Sequence, residues 1–183
     1  NLSDGQYKYE FTSFRKDVYR GGEHAPAQVT FTSDIAEDAK RRDFKCNALY
    51  YDIRRGEIAD PLGGLADVKS RTVNTTRGAD EVFAEDGLRL MRLARQCAEN
   101  GFTPSAECAL GAKSNAERIK KIVPERIYAE LMLLLHADGK HGIQYGHYEG
   151  LKLLKETGVL GCILPELAAG DGMAQRKDFH DHD

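Results

Sequence analysis

Asp86, Arg89, Arg92 and Arg95 stand three residues apart in the segment Phe83-Ala84-Glu85-Asp86-Gly87-Leu88-Arg89-Leu90-Met91-Arg92-Leu93-Ala94-Arg95. On one helix each step of three turns the chain by about 300°, so the four drift slowly within one polar sector and can face one ligand together. A carboxylate accepts hydrogen bonds and a guanidinium donates two in a planar fork, which together match the edge of a nucleobase. The remaining arginines would then meet phosphates. The competing reading is a solvated helix face laced with i,i+3 ion pairs.

The elements that must position these residues are legible along the chain. Residues 7–14 alternate aromatic and polar positions, which suits a strand with one buried face. Residues 16–26, rich in Gly and charge, read as a mobile loop, and 29–32 as a short strand. Asp34 followed by Glu37 has the form of a capping box, which predicts a helix from Ile35 towards Arg41. The mostly apolar run 44–53, the turn Arg54-Arg55-Gly56 and Glu57-Ile58-Ala59-Asp60 form a hairpin. Pro61, Gly63 and Gly64 break it, and 65–69 is a short turn of helix. From Asp80 the period becomes helical, with Leu88, Leu90, Met91, Leu93, Ala94, Cys97 and Ala98 as an apolar stripe that Gly101 ends. Further helices are expected over 104–116 and 124–137, each with Pro in its first turn, the second stopped by Gly139. A last helix runs towards Thr157. Sheet first and helices after indicate an α+β head followed by an all-helical extension.

Three ordered strings give this arrangement a context: Arg41-Arg42-Asp43-Phe44-Lys45-Cys46-Asn47-Ala48, Asp60-Pro61-Leu62-Gly63-Gly64-Leu65-Ala66-Asp67 and Glu85-Asp86-Gly87-Leu88-Arg89-Leu90-Met91-Arg92-Leu93-Ala94-Arg95. They resemble the RRDFTxNA, DxxGGxxDL and EDxxRxxRxxR motifs of class II tRNA nucleotidyltransferases, the family of the CCA-adding enzymes and bacterial poly(A) polymerases. Residues 123–135 resemble the helix after them, with Arg126 and Glu130 in matching places. The resemblance implies the C-terminal part of a nucleotidyltransferase β-sheet head, followed by an all-helical neck and body. In domain terms it implies a partial head over 1–70, a neck over 71–138, a body over 139–168 and a tail over 169–183.

In function, the resemblance implies CCA addition to tRNA 3′ ends from CTP and ATP without a nucleic-acid template. Poly(A) polymerase is the alternative within the family, and a noncatalytic RNA-binding remnant the alternative outside it. Asp86 and Arg89 would pair with the base. Arg42 would hold the sugar or triphosphate, Arg92 and Arg95 would contribute to the same pocket, and Asp43 and Asn47 would brace it. Arg41 stays outside this set, because two adjacent arginines at a helix end are not expected to point inward together. Glu10, in the string Tyr7-Lys8-Tyr9-Glu10-Phe11-Thr12-Ser13-Phe14-Arg15, resembles the Glu of the family's E-x-TTFR strand and is a candidate third carboxylate, with an exposed strand Glu as the other reading. Arg15 has the same status.

Transfer of this type needs paired carboxylates holding Mg²⁺. The family's DxD ligands are expected upstream of residue 1, so the chain reads as a fragment that is inactive alone. Gly63 and Gly64 allow a hinge or a tight turn. The ending Gln175-Arg176-Lys177-Asp178-Phe179-His180-Asp181-His182-Asp183 resembles the entry to an HD-type domain, and no metal site is assigned to it. Lys113, Arg118, Lys120 and Lys121 could extend a phosphate-binding surface for tRNA, with a solvated helix end as the plainer account.

Composition sets outer bounds. The chain has 183 residues, 41% hydrophobic, with a net charge of −3, so RNA binding must come from local basic clusters. No apolar run approaches the roughly 20 residues that span a bilayer, so no membrane partner is expected. Cys46, Cys97, Cys108 and Cys162 have no CxxC spacing, which points to reduced thiols and a cytoplasmic setting.

Overall fold

The computed structural model describes residues 2–3, 8–9, 11–18, 27–170 and 172–173, the first two stretches as backbone alone. β1 (Leu2–Ser3) pairs antiparallel with β2 (Lys8–Tyr9), Leu2 opposite Tyr9. Of the strand expected over 7–14, Lys8 and Tyr9 lie in β2 and residues 11–14 belong to no strand. Pairing resumes inside the expected loop, where β3 (Arg15–Val18) runs antiparallel to β4 (Gln28–Phe31), with Arg15 opposite Phe31 and Val18 opposite Gln28. The period of two persists past Phe14, which puts Arg15 and Asp17 on the half-buried side and Lys16 and Val18 in solvent.

α1 (Ile35–Lys40) starts as expected, with Asp34 Oδ1 accepting from the Ala36 N–H at 2.8 Å. The capping box is half formed. Glu37 does not reach back, because it is held by Lys40 and Lys16 (2.8 and 3.2 Å), and the Asp34 N–H donates to Thr32 Oγ1 instead.

The run 44–53 is not one strand. Phe44 bridges Thr75, Lys45–Asn47 make a 3-10 turn, and only β5 (Tyr50–Asp52) pairs with β6 (Glu57–Ala59). The cause is local. Asp43 Oδ1 accepts from the Phe44 N–H (2.8 Å) and the Asn47 amide (3.3 Å), and such side-chain bonds compete with a ladder. The hairpin turn closes through Asp52 Oδ1, which accepts from the N–H groups of Arg54 and Arg55.

α2 (Gly64–Ser70) begins after Gly63, whose φ of 76° favours glycine. Asp60 accepts from the Gly64 and Leu65 N–H groups at 2.7 and 2.9 Å. A Cβ on Gly64 would lie 2.2 Å from the Lys45 carbonyl oxygen, so the pair is set by a tight turn and a close backbone approach. Gly64→Ala is accordingly expected to lower stability by about 1–3 kcal/mol, read as a lower urea midpoint at unchanged m-value.

β7 (Thr72–Val73) lies parallel to β8 (Thr103–Pro104) and ties the head segment to the helices. Between them, α3 (Ala79–Glu85) and α4 (Leu88–Asn100) replace the single helix expected from Asp80. Asp86 is extended (φ −144°, ψ 108°), and its Oδ1 accepts from the Leu88 N–H at 3.0 Å to restart the helix. Gly87 sits against residue 118, where a Cβ would be 2.7 Å from the Arg118 oxygen. Gly101, at φ 63°, ends α4 as expected.

α5 (Ala106–Ser114) is capped by Ser105, whose Oγ accepts from the Cys108 N–H, and Pro104 stays in β8 rather than in the helix's first turn. A 3-10 segment, Ala116–Lys121, leads to α6 (Pro124–Leu135), with Pro124 in its first turn. Gly139 closes a separate 3-10 turn, Ala137–Gly139. α7 (Gly146–Glu156) is the expected last helix, and two short ones follow it, α8 (Val159–Ile163) and α9 (Pro165–Ala169).

α4 runs through the core, with Leu88, Leu90, Met91, Leu93, Ala94, Cys97 and Ala98 buried against Phe44, Phe83, Ile119, Leu134 and Leu154. α7 comes close because Gly146 and Gly150 face Ala98; a Cβ on Gly146 would be 2.4 Å from the Ala98 oxygen. No helix among the described residues is long and apolar enough to cross a membrane. All four cysteines are free.

Candidate functional site

A cavity of about 700 Å³ opens where β3, the 41–47 segment that follows α1 and the start of α4 meet. β3 contributes Arg15 and Asp17, and the segment 41–47 contributes Arg41, Arg42, Asp43 and Asn47. Asp86, Arg89 and Arg92 come from α4 and its entry, and Arg126 comes from α6. Six arginines against three aspartates make this wall cationic, which suits a polyanionic ligand.

Each arginine is held by acceptors that the fold supplies. Arg42 donates to Asp38 Oδ2 (3.3 Å), the Tyr50 hydroxyl (3.1 Å) and the Asn47 carbonyl (3.1 Å), and its guanidinium carbon lies 5.0 Å from the Tyr50 ring centre. Arg92 forks onto Asp43 Oδ2, from Nε at 2.7 Å and Nη2 at 2.6 Å. Burial opposes the Arg92 charge, but the carboxylates of Asp43, Glu130 and Asp86 together outweigh it and raise its pKa. Arg89 is buried. Its Nη1 donates to the Val82 carbonyl (3.0 Å) and Glu85 (2.8 Å), and its Nη2 to the Arg41 carbonyl (3.1 Å). Arg126 reaches Asp86 Oδ2 at 3.6 Å.

The structure therefore brings together Arg42, Asp43, Asn47, Asp86, Arg89 and Arg92, and leaves Arg95 out. Arg95 does not line the cavity. It is buried one turn beyond Arg92 on α4, where its Nε donates to Glu130 (2.6 Å) and its Nη1 to Glu99 (2.9 Å). The expectation of four residues in one sector assumed an unbroken helix. Asp86 reaches the cavity from outside the helix, and the two steps of about 300° from Arg89 to Arg95 turn Arg95 by a net angle of about 120°, past the cavity.

Arg41 is a second correction, since both adjacent arginines face the cavity side. Arg41 is C-cap of α1, and the buried Asp38 accepts from both. Asp38 and Tyr50 escaped the sequence reading; the i,i+3 and i,i+4 spacing of Asp38 to Arg41 and Arg42 was the available signal. Thr12 and Arg15, from the string that resembles E-x-TTFR, also line the cavity, as do Asp17 and Gln96, which carry no motif.

Glu10 lies outside the described residues. Lys113, Lys120 and Lys121 are exposed and Arg118 half-buried; none of the four lines the cavity, Lys120 pairs with Glu117, and Arg118 donates to Asn115. Among the described residues no group of three or more His, Cys, Asp or Glu side chains could hold a metal ion. The cavity's own carboxylates are each engaged by arginine: Asp17 by Arg15, Asp43 by Arg92 and Asp86 by Arg126. That donor set does not suit a divalent cation.

A small strand-bearing head tied to a helical bundle, with a cationic cavity at the seam, defines the class as a nucleotidyltransferase head joined to a helical region. Residues 1–74 match the family model of the poly A polymerase head domain, and 101–170 the model described as the probable RNA and SrmB-binding site of polymerase A. The CCA-adding enzyme of Geobacillus kaustophilus (strain HTA426) is 38% identical over 161 residues, which are 88% of this chain and 38% of that protein. The crystal structure of the Bacillus stearothermophilus CCA-adding enzyme in complex with CTP is 34% identical and superposes with a TM-score of 0.68, covering 81% of this chain and 33% of that one. A CCA-adding enzyme in apo form II, 19% identical with a TM-score of 0.71 over 85% of this chain and 35% of that one, shares the fold. The chain thus belongs to the family of CCA-adding enzymes and poly(A) polymerases. It spans about two-fifths of the length of the curated relatives it matches, 38% of the first.

Proposed function

We propose that this chain forms the nucleotide-selecting part of an enzyme that adds CCA to tRNA 3′ ends from CTP and ATP, without a nucleic-acid template. The observation that carries the reading is the placement of Asp86 and Arg89 on the same cationic cavity as Arg42 and Arg92. It is supported by the likeness to a relative solved with CTP.

Asp86 offers an acceptor and Arg89 a fork of donors, the two needs of a base edge. Three hydrogen bonds from the two terminal nitrogens of Arg89 hold its plane against the cavity wall, so base geometry is tested by a rigid group. Arg42 and Arg92 meet the sugar and triphosphate, while Asp43 and Asn47 brace them from behind. Lys113, Arg118, Lys120 and Lys121 extend a phosphate-binding surface for the acceptor stem of tRNA. The domain division follows the same reading, with head, neck, body and tail over 1–70, 71–138, 139–168 and 169–183. Free thiols accord with a cytoplasmic setting. The divalent metal typical of these transferases, Mg²⁺ in this reading, finds no donor set among the described residues, so no step here runs through it.

The test is incorporation of CTP and ATP on a tRNA lacking its CCA end by the complete protein and its Asp86→Ala and Arg89→Ala variants. CCA addition by the parent, with nucleotide choice lost or scrambled in both variants, is the expected result. Oligo(A) would make the protein a poly(A) polymerase, and nucleotide or RNA binding without incorporation would make it a noncatalytic member.

A further inference from the structure

Asp38 sits at the last turn of α1 with 0% of its surface exposed, between the two arginines that enter the cavity from the RRDF string. Each carboxylate oxygen has its own task. Oδ1 accepts from Arg41 Nε at 2.8 Å and from the Arg15 backbone N–H at 3.1 Å. Oδ2 accepts from Arg42 Nε and Nη2, both at 3.3 Å, and from the Tyr50 hydroxyl at 2.7 Å. The side chains of Arg41 and Arg42 remain 16% and 32% exposed, so the buried anion anchors their inner edges while their outer edges face the cavity.

We infer that Asp38 is a positioning residue for the triphosphate, an anchor that converts two mobile cations into a fixed clamp. The inference rests on the proposed nucleotide role of the cavity. A long side chain immobilised before the ligand arrives loses less rotamer entropy on binding than one left in solvent. Burial by itself would raise the Asp38 pKa. The Tyr50 hydroxyl, Arg41 and the Arg15 N–H outweigh burial and hold it below the usual carboxylate value, so the anchor stays charged at neutral pH. Tyr50 completes the anchor by donating to Oδ2 and carrying the face of Arg42.

The decisive measurement compares the affinity of CTP with that of cytidine in the complete protein, its Asp38→Asn form and the milder Tyr50→Phe form. Thermal unfolding is recorded for each, and CTP is compared with UTP as a readout of base choice. The expected result is a CTP affinity about tenfold lower in Asp38→Asn, with a much smaller loss for cytidine and the CTP-to-UTP preference unchanged. Tyr50→Phe shifts the same ratio in the same direction by less, which keeps the test alive if Asp38→Asn does not fold. Equal losses for CTP and cytidine would mark a purely structural role, and an unchanged CTP-to-cytidine ratio in both variants would overturn the inference. Failure of the unaltered protein to bind CTP would instead overturn the nucleotide role of the cavity itself.

Discussion

Arg95→Ala is expected to lower the unfolding free energy by about 3–5 kcal/mol while leaving the choice of nucleotide intact. Arg95 is the only cation drawn into contact with both Glu99 and Glu130 among the described ion pairs, and all three side chains are nearly buried. Its removal strands Glu130 with Arg92 at 3.7 Å and Glu99 with Lys140 at 2.9 Å. A carboxylate left inside without its fork partner bears the desolvation cost that the pair had offset. Arg95→Met combined with Glu130→Met should recover most of the loss, since a packed apolar pair has no charge to desolvate. Urea unfolding of the complete protein and its variants measures both numbers. A variant of unaltered stability that misreads nucleotides would return Arg95 to the nucleotide pocket.

Arg89→Lys should do what Arg95→Ala does not, damaging stability and selection together. Lysine keeps the charge but cannot reach the Val82 carbonyl, Glu85 and the Arg41 carbonyl at once, because an ammonium is a point and a guanidinium a plane. About 2–3 kcal/mol of stability is the expected loss, since charge-assisted bonds inside the protein are given up. Under the proposed function, discrimination of CTP and ATP against UTP and GTP should fall by about 10²-fold. Asp86→Ala provides the contrast. Its side chain makes one local bond, to the Leu88 N–H, and one long ion pair, so about 1 kcal/mol of stability should go with a comparable loss of selection. Misincorporation and thermal melting, measured side by side on the two variants, separate the roles; a melt for Arg89→Lys as mild as for Asp86→Ala would contradict the bracing described.

Motif order and periodicity made most of the site legible in advance. Arg42, Asp43, Asn47, Asp86, Arg89 and Arg92 do meet on one cavity, and they were named from two separated strings. Helix starts are readable where a local feature sets them, the capping bond of Asp34 and the fixed φ of Pro124. The elements differ from the pattern where a local side-chain bond or a distant backbone contact overrides periodicity. The apolar run after Asp43 looked like a strand, but Asp43 bonds its own neighbours. The helix from Asp80 looked continuous, but Asp86 and Gly87 break it against residue 118.

What the sequence determined by itself was therefore the chemistry on offer: which residue types recur at which spacing, which runs are helical, and the family these strings resemble. Only the tertiary structure decided which of those groups are spent on the protein itself. Arg92 and Arg95 are one turn apart and chemically identical, yet one faces the cavity and the other closes a buried ion cluster with Glu99 and Glu130. Asp38 precedes the RRDF string among other charged residues and becomes the anchor of two arginines because β3 and β5 close over it. The physical reason is that spacing fixes direction within a single helix, whereas burial and partner identity depend on elements brought in from 35 to 49 positions away, as in the bonds of Arg95 to Glu130 and Arg92 to Asp43.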